Sequence, residues 1–233
     1  MLTVVLSSWL AGLAMFVGAA SARLERIPEG ELKNEIIHGI VAFGGGVLVA
    51  AVAFVLAPAG LKSLNLCTAS VLFCAGAFAF MLLDKSISYR GGPKAQFMAM
   101  LMDFIPEAIA LGAVFAHQHS LGVLLALFIG AQNLPEGFNA YRELRSGGTR
   151  PARILLTLLF LSLLGPAAAL TGYVFLQFHP QVVGGLMLFA AGGILYLVFQ
   201  DIAPQSQMRR HWTPPLGATL GFLVGMIGEK LLG

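Results

Sequence analysis

Charged residues are scarce in this sequence, and their scarcity limits the kind of protein that it can encode. Only 11% of the 233 residues are charged, whereas 58% are hydrophobic, and the formal net charge is +3. An ordinary soluble domain carries about 25% charged residues. The cations sit in short segments rather than in one basic patch, which argues against nucleic acid as a partner. The composition is instead typical of a polytopic membrane protein.

Cysteine is nearly absent as well. The two cysteines, Cys67 and Cys74, are seven positions apart in one apolar segment. On a helix, this spacing separates their Cα atoms by about 10 Å along the axis, which is too far for a disulfide bond. We expect both to be packing residues without a redox or metal-binding role.

Long apolar runs occupy most of the chain and divide it into eight segments of membrane-spanning length. They lie at about 2–22, 35–58, 66–84, 95–116, 120–141, 153–177, 182–203 and 213–232. The first segment resembles a secretory signal peptide, but it lacks a positive n-region and is long enough to span a bilayer. The sequence therefore predicts an all-α polytopic fold with eight transmembrane helices, in a single transmembrane domain over residues 1–233.

Lysine and arginine are unevenly distributed among the segments that connect these runs. Successive connectors carry three, one, three, none, four, none and two of these cations. Rich connectors alternate with poor ones, and by the positive-inside rule the rich connectors face the cytoplasm. We expect both termini to lie outside. The compact chain, without a long histidine-rich loop, favours a bacterial inner membrane.

Acidic residues interrupt the fourth and fifth apolar runs in a repeated pattern. The fourth run contains DFIPEA, with Asp103 and Glu107, and the fifth contains QNLPEG, with Gln132 and Glu136. Within each pair the side chains are four positions apart, so they share one helix face. The proline before each glutamate frees a backbone carbonyl about one turn earlier. Both helices can therefore present several oxygen atoms at a similar depth.

Burying these acids in a bilayer is costly. One acidic residue at a helix centre costs roughly 2.5–3.5 kcal/mol, so Asp103, Glu107 and Glu136 together cost about 8–10 kcal/mol without a cation, a proton or water beside them. Every lysine and arginine lies in a connector or near a helix end. The pattern predicts a cation site at mid-membrane depth. The alternative is that the acids are protonated and serve only helix packing.

The two motifs, in this order and in these runs, resemble those of the ZIP (Zrt/Irt-like protein) family of divalent-metal transporters. That family has His-Asn-x-Pro-Glu-Gly in its fourth span and [His/Gln]-[Asp/Glu/Asn]-x-Pro-Glu-Gly in its fifth. Three further segments, AFGGGVLVAAVAFVLAP, SLLGPAAALTGY and AAGGILYLVFQDIAPQS, resemble its second, sixth and seventh spans. The resemblance implies divalent-metal transport into the cytoplasm by alternating access, without an organic cofactor. The implied ligands are Asp103, Glu107, Gln132 and Glu136, with Asn133 as a weaker one.

The sequence departs from the family pattern at three positions that bear on metal binding. Asp103 replaces the usual histidine, Phe104 replaces the asparagine after it, and Gly165 replaces a glutamate in the sixth span. In bacterial relatives with two metals, the asparagine and that glutamate help to hold the second ion, so we expect one metal here. An all-oxygen site favours Mn²⁺ or Fe²⁺, although Zn²⁺ and Cd²⁺ also bind carboxylates.

Two other functions remain open at this stage. One is an intramembrane hydrolase that uses the carboxylates or a catalytic metal, although the sequence contains neither H-E-x-x-H nor G-x-S-x-G. The other is a metal sensor or degenerate relative that does not transport. Outside the two motifs, metal capture or exit roles are open for His117, His119, His179, His38 and Asp201.

The last apolar run carries glycine at every fourth position, at Gly217, Gly221 and Gly225. Such a pattern lets two helices approach closely. It predicts either packing within the chain or a homodimer face. The remaining expected partners are divalent metal ions and the lipid bilayer.

Overall fold

The computed structural model describes residues 1–90, 95–209 and 211–232, apart from the side chains of residues 87–90, 95–99, 102 and 103. Nearly all of this part of the chain is helical, and it contains no strand. The long helices are α1 (Leu2–Leu24), α2 (Glu31–Ser63), α3 (Leu66–Arg90), α4 (Ala95–Phe115), α5 (His119–Ser146), α6 (Pro151–Leu176), α7 (Pro180–Ser206) and α8 (Thr213–Leu232). The predicted all-α fold is confirmed.

Seven of these helices are long and apolar enough to cross a membrane, as far as the described residues show. The exception is α4, for which a shorter apolar stretch, Phe104–Phe115, lies within the described residues. The chain is therefore an integral membrane protein by the composition and length of its helices. An eighth span and the orientation of the termini stay predictions.

Three of the helices contain a widened π turn. These turns are Val52–Leu56 in α2, Gly172–Leu176 in α6 and Val198–Ile202 in α7. In α2 and α7 a proline, Pro58 or Pro204, follows two positions after the π turn. Proline has no N–H and its ring crowds the carbonyl four residues earlier, so a wider turn before it relieves the mismatch. The helix α6 is also interrupted between Leu161 and Leu164, just before Gly165.

The eight helices form two bundles. The first bundle consists of α1, α4, α5 and α6, with α1 packed along α5 and α4 along α6. The second consists of α2, α3, α7 and α8, with α8 packed along α2 and α3 along α7. The bundles meet chiefly where α2 contacts α5 and where α4 contacts α7. The two helices that carry the polar motifs therefore both belong to the first bundle and both touch the second.

Glycine permits the closest helix contacts. In the first bundle, Gly137 of α5 lies against the backbone of Met15 in α1. In the second, Gly217 and Gly221 of α8 lie against the backbone of α2. A side chain at these positions would collide with the neighbouring helix. The glycine repeat of the last helix is thus used for packing within the chain, and a homodimer stays a prediction.

The cysteines do not pack against other helices. Cys67 and Cys74 are free thiols exposed on the surface of α3. The expectation that they are packing residues is wrong, because the face of α3 that carries them is turned away from its neighbours. Cys74 is available to lipid, whereas Cys67 lies in the first turn of α3, beside the connector from α2.

Connectors at the two ends of the bundle have different surroundings. At the end where α5 leads into α6, here named the α5–α6 end, His211 Nε2 lies 3.1 Å from Glu31 Oε1. Near it, Lys33 Nζ lies 3.1 Å from Glu25 Oε2, and this contact with Lys33 lowers the pKa of the Glu25 carboxyl. The opposite end, here named the α4–α5 end, contains Lys62 and His117.

Candidate metal site between helices α4 and α5

Most of the buried polar side chains in the described part of the chain come from the two repeated motifs. Glu107 and Gln132 are each 1% exposed, Asn133 is fully buried and Glu136 is 9% exposed. The other buried polar residues are two serines, Ser8 and Ser162. The two glutamates are therefore the buried acids among the described residues, at the place where the sequence predicts a site.

A hydrogen bond connects the two motifs directly. Gln132 Nε2 of α5 donates to Glu107 Oε2 of α4 over 2.6 Å. Both residues lie in helices that continue through an internal proline, Pro106 in α4 and Pro135 in α5. The structure thus brings one predicted ligand from each motif into contact.

Two amide oxygens at this depth have no partner. Neither Gln132 Oε1 nor Asn133 Oδ1 accepts a hydrogen bond from any described residue. The amide nitrogen of Asn133 donates to the carbonyl oxygen of Ala11 in α1 over 2.9 Å. A buried amide oxygen without a partner is unfavourable by about 1–3 kcal/mol. A bound cation would satisfy such an oxygen.

Glu136 lies at the boundary between the two bundles. It lines a narrow cavity of about 20 Å³ together with Gly44 and Gly45 of α2 and Asn139 of α5. Pro135 occupies the space above Gly44, where an added Cβ atom would lie 2.8 Å from the proline Cγ atom. A cavity of this size holds about one water molecule or a bare ion. Glu136 thus lies beside the second bundle, whereas Gln132 contacts Glu107 within the first bundle.

Asp103 is the remaining predicted ligand, and its side chain lies outside the described residues. The backbone of α4 is helical through position 103, one turn before Glu107. Within the described residues, no three histidine, cysteine, aspartate or glutamate side chains converge on a point that could hold a metal. The predicted ligands whose side chains are described are two carboxylates and two amides, of which Glu107 and Gln132 are in contact.

The two departures from the family pattern at Phe104 and Gly165 are in contact. Phe104 is 1% exposed. A Cβ atom added at Gly165 would lie 3.0 Å from the Cζ atom of Phe104 and 2.6 Å from the carbonyl oxygen of Ser8. A Cβ atom added at Gly12 would also lie 3.0 Å from the same Cζ atom. The phenyl ring therefore fills the space between α1 and α6.

The predicted histidines do not converge on this site. His117 bonds through Nε2 to the carbonyl oxygen of Gln177, and His119 packs edge-on against Phe115 with ring centres 5.3 Å apart. His179 precedes the first turn of α7, and His38 Nδ1 lies 2.6 Å from the carbonyl oxygen of Asn34 in its own helix.

Asp201, a candidate for an exit role, lies in the π turn of α7. Sequence reasoning overlooked two other polar contacts of α7. Tyr196 donates to Asp84 Oδ2 of α3 over 3.0 Å. Asn139 Nδ2 of α5 donates to Gln205 Oε1 of α7 over 3.3 Å, which joins the two bundles. The sequence contains a signal for Asn139, because it follows Glu136 by three positions and therefore lies near it on the helix surface.

These features define an integral membrane protein of two helical bundles, with buried carboxylate and amide groups at the contact between α4 and α5 and beside the boundary of the bundles. A comparison with curated proteins finds zinc transporter GufA of Myxococcus xanthus, which is 32% identical over 140 residues. The match covers 58% of this chain and 54% of the relative, so the chain spans about half the length of the relative that it matches. No family model matches the chain. This relative is a member of the ZIP family, the family that the two repeated motifs resemble.

Proposed function

We propose that this protein transports a divalent transition-metal cation across the membrane, into the cytoplasm. The observation that carries the proposal is the buried contact between Glu107 and Gln132, which lies beside two unpartnered amide oxygens. Buried polar groups without partners are unfavourable inside a helical bundle unless they coordinate an ion. The similarity to a protein named as a zinc transporter agrees with this conclusion.

The proposed ligands are Asp103, Glu107, Gln132 and Glu136, with Asn133 contributing an amide oxygen to a weaker neighbouring position. Asp103 and Glu107 share a face of α4 through their four-residue spacing. All of these ligands are oxygen atoms, which shifts preference towards Mn²⁺ and Fe²⁺ relative to a site that contains imidazole. Zn²⁺ stays a candidate ion because the relative is named as a zinc transporter. Cd²⁺ also stays a candidate, because its coordination chemistry is similar to that of Zn²⁺.

The site holds one ion in this proposal. The ring of Phe104 fills the space beside Gly12 and Gly165, so no oxygen donor can enter between α1 and α6 at that point. A second ion at this position would meet an apolar ring instead of ligands. The contact between these three residues supports the prediction of a single metal.

Alternating access follows from the two-bundle arrangement in this proposal. A cavity of about 590 Å³ opens between the bundles at the α4–α5 end, whereas the space beside Glu136 on the other side is about 20 Å³. We place the α4–α5 end and both termini outside the cell. In this proposal the chain forms one transmembrane domain of eight spans in a bacterial inner membrane. Metal then enters from the larger cavity, and a movement of one bundle past the other opens the site to the cytoplasm.

Release of the metal leaves two or three carboxylates close together. Carboxylates that lose a shared cation repel each other, and a proton relieves that repulsion. We therefore propose that protonation of Glu107 or Glu136 accompanies release. Metal uptake that neither responds to a pH gradient nor creates one would remove this part of the proposal.

The test is uptake of Mn²⁺, Fe²⁺, Zn²⁺ and Cd²⁺ into proteoliposomes that contain the wild type, Glu107→Gln or Glu136→Gln. Glu29→Gln is a matched control, because it removes the same charge from an exposed position at the α5–α6 end. We expect saturable uptake by the wild type and the control and none by the two site variants. If the folded wild type takes up none of the four ions, the proposal fails and the sensor hypothesis replaces it.

The protein is not an enzyme in this proposal. The relative is named as a transporter, and this favours transport over the hydrolase hypothesis.

A further inference from the structure

The larger cavity, about 590 Å³ in volume, lies between the two bundles at the α4–α5 end. One wall comes from the first bundle and includes His117 and Gln118. The opposite wall comes from α2, α7 and α8 and includes Lys62 and Glu229. On α4, the cavity reaches Ala113, which is about 9 Å along the helix axis from Glu107. The cavity therefore ends short of the proposed transport site.

Glu229 brings a carboxylate to the wall of this cavity. Its Oε2 atom is buried and has no hydrogen-bond partner among the described residues. The residue lies in the last turn of α8, which ends at Leu232. The unpaired carbonyl groups of a last turn create a negative potential that disfavours a carboxylate and attracts cations. Burial and position thus both favour a cation beside Glu229.

Lys62 is the other formal charge on the cavity wall, and it does not neutralise Glu229. The ion pairs of the described residues involve four other glutamates, all of them near the start of α2. An ammonium group in the same cavity repels an incoming metal ion and so weakens its binding. The cavity therefore has one charge that attracts a cation and one that limits its affinity.

His117 adds an imidazole to the same cavity. Its Nε2 atom bonds to the carbonyl oxygen of Gln177, and a carbonyl can only accept, so Nε2 is the donor. The other ring nitrogen, Nδ1, is then the one through which the imidazole would bind a metal ion. A backbone carbonyl that orients the second nitrogen of an imidazole is the usual support of a metal-binding histidine.

We propose that Glu229, assisted by His117, forms an entry site that binds a divalent cation weakly before the ion moves towards Glu107. Lys62 keeps this binding weak, so that the ion is not retained in the cavity. The proposal rests on the proposed function, because the ion at this site is the one that is transported. Binding at the site does not itself require transport, so the two can be tested separately.

The test is equilibrium binding of Mn²⁺ to the intact protein in detergent, measured by electron paramagnetic resonance of the free ion. We expect two classes of site in the wild type, one tight and one weak. Glu229→Gln should abolish the weak class and leave the tight class unchanged, whereas Glu107→Gln should do the reverse. Lys62→Gln should tighten the weak class by about three- to tenfold, since it removes a nearby positive charge. Glu29→Gln should change neither class.

The outcomes separate the two proposals. A weak class that is absent from the wild type, or that survives in Glu229→Gln, overturns the entry site. A weak class that depends on Glu229 without any tight class supports the entry site and contradicts the transport site. A misfolded variant cannot imitate the entry site, because Lys62→Gln is expected to increase affinity. In proteoliposomes that transport, Glu229→Gln should raise the KM for Mn²⁺ and leave the maximal rate nearly unchanged.

Discussion

Replacing Gly165 with alanine should destabilise the protein, because the contact between α1, α4 and α6 has no room for one methyl group. The added Cβ atom would lie 2.6 Å from the carbonyl oxygen of Ser8 and 3.0 Å from Phe104 Cζ. The ring can turn slightly, but the carbonyl belongs to the backbone of α1, so the helices must separate. Overpacking of this kind costs about 1–3 kcal/mol. The higher helix propensity of alanine offsets up to about 1 kcal/mol of that cost.

Gly130→Ala is the matched control for this experiment. Gly130 is also a helical glycine that faces α1, but the nearest atom to an added Cβ is Ala11 Cα at 3.6 Å, which is an ordinary contact. The control gains helix propensity without overpacking, so the two variants should differ by about 1–3 kcal/mol. For a chain of this length, that difference corresponds to about 2–12 °C in the temperature of thermal unfolding in detergent.

Equal unfolding temperatures for the two variants would refute the reasoning. They would mean that α6 can move away from α1 and Phe104 at little cost. The space beside Phe104 would then be adaptable, and the structural support for a single metal ion would be lost. A destabilised Gly165→Ala that still binds one Mn²⁺ tightly would agree with both the packing and the ion count.

Three further predictions concern the site, the contact between the bundles and the orientation. Gln132→Leu should weaken tight Mn²⁺ binding by about 10- to 100-fold, because it removes a ligand and the hydrogen bond to its glutamate partner; unchanged binding would remove Gln132 from the site. The double variant Asn139→Ala, Gln205→Ala removes the hydrogen bond between α5 and α7. It should increase hydrogen–deuterium exchange, measured by mass spectrometry, where these helices reach the α5–α6 end. Unchanged exchange would mean that this hydrogen bond does not hold the two helices together. In right-side-out vesicles, a membrane-impermeant maleimide should label the variant that keeps Cys67 as its single cysteine, whereas labelling only after permeabilisation would reverse the proposed orientation.

The helical architecture could be predicted from the sequence, since it depends on local chemistry. Lipid offers no hydrogen bonds to the backbone, so an apolar run of spanning length must satisfy its own polar groups by forming a helix. Each of the eight apolar runs coincides with one of the helices α1–α8. The bounds differ, as in α2, which extends over Glu31–Ser63 although its apolar run covers 35–58. Hydropathy marks the part suited to lipid, whereas hydrogen bonds continue the helix into polar residues.

The candidate site could be predicted in part. The four-residue spacing of Gln132 and Glu136 is a property of one helix, so their common face follows from the sequence. Their surroundings do not follow from it, because each neighbour is supplied by a different helix. Gln132 meets α4, Asn133 turns to Ala11 of α1, and Glu136 faces Gly44 of α2.

The sequence by itself therefore determined the class of protein, its helices and the position of the acidic motifs, all of which arise from hydropathy and from spacing within one helix. Only the tertiary structure decided which distant residues meet. Phe104, Gly12 and Gly165 come from three helices, and Lys62 and Glu229 from two others. Contacts between helices depend on the shape and volume of the whole bundle, and no local pattern encodes them. For that reason the filled space beside Phe104 and the charged cavity at the α4–α5 end emerged from packing alone.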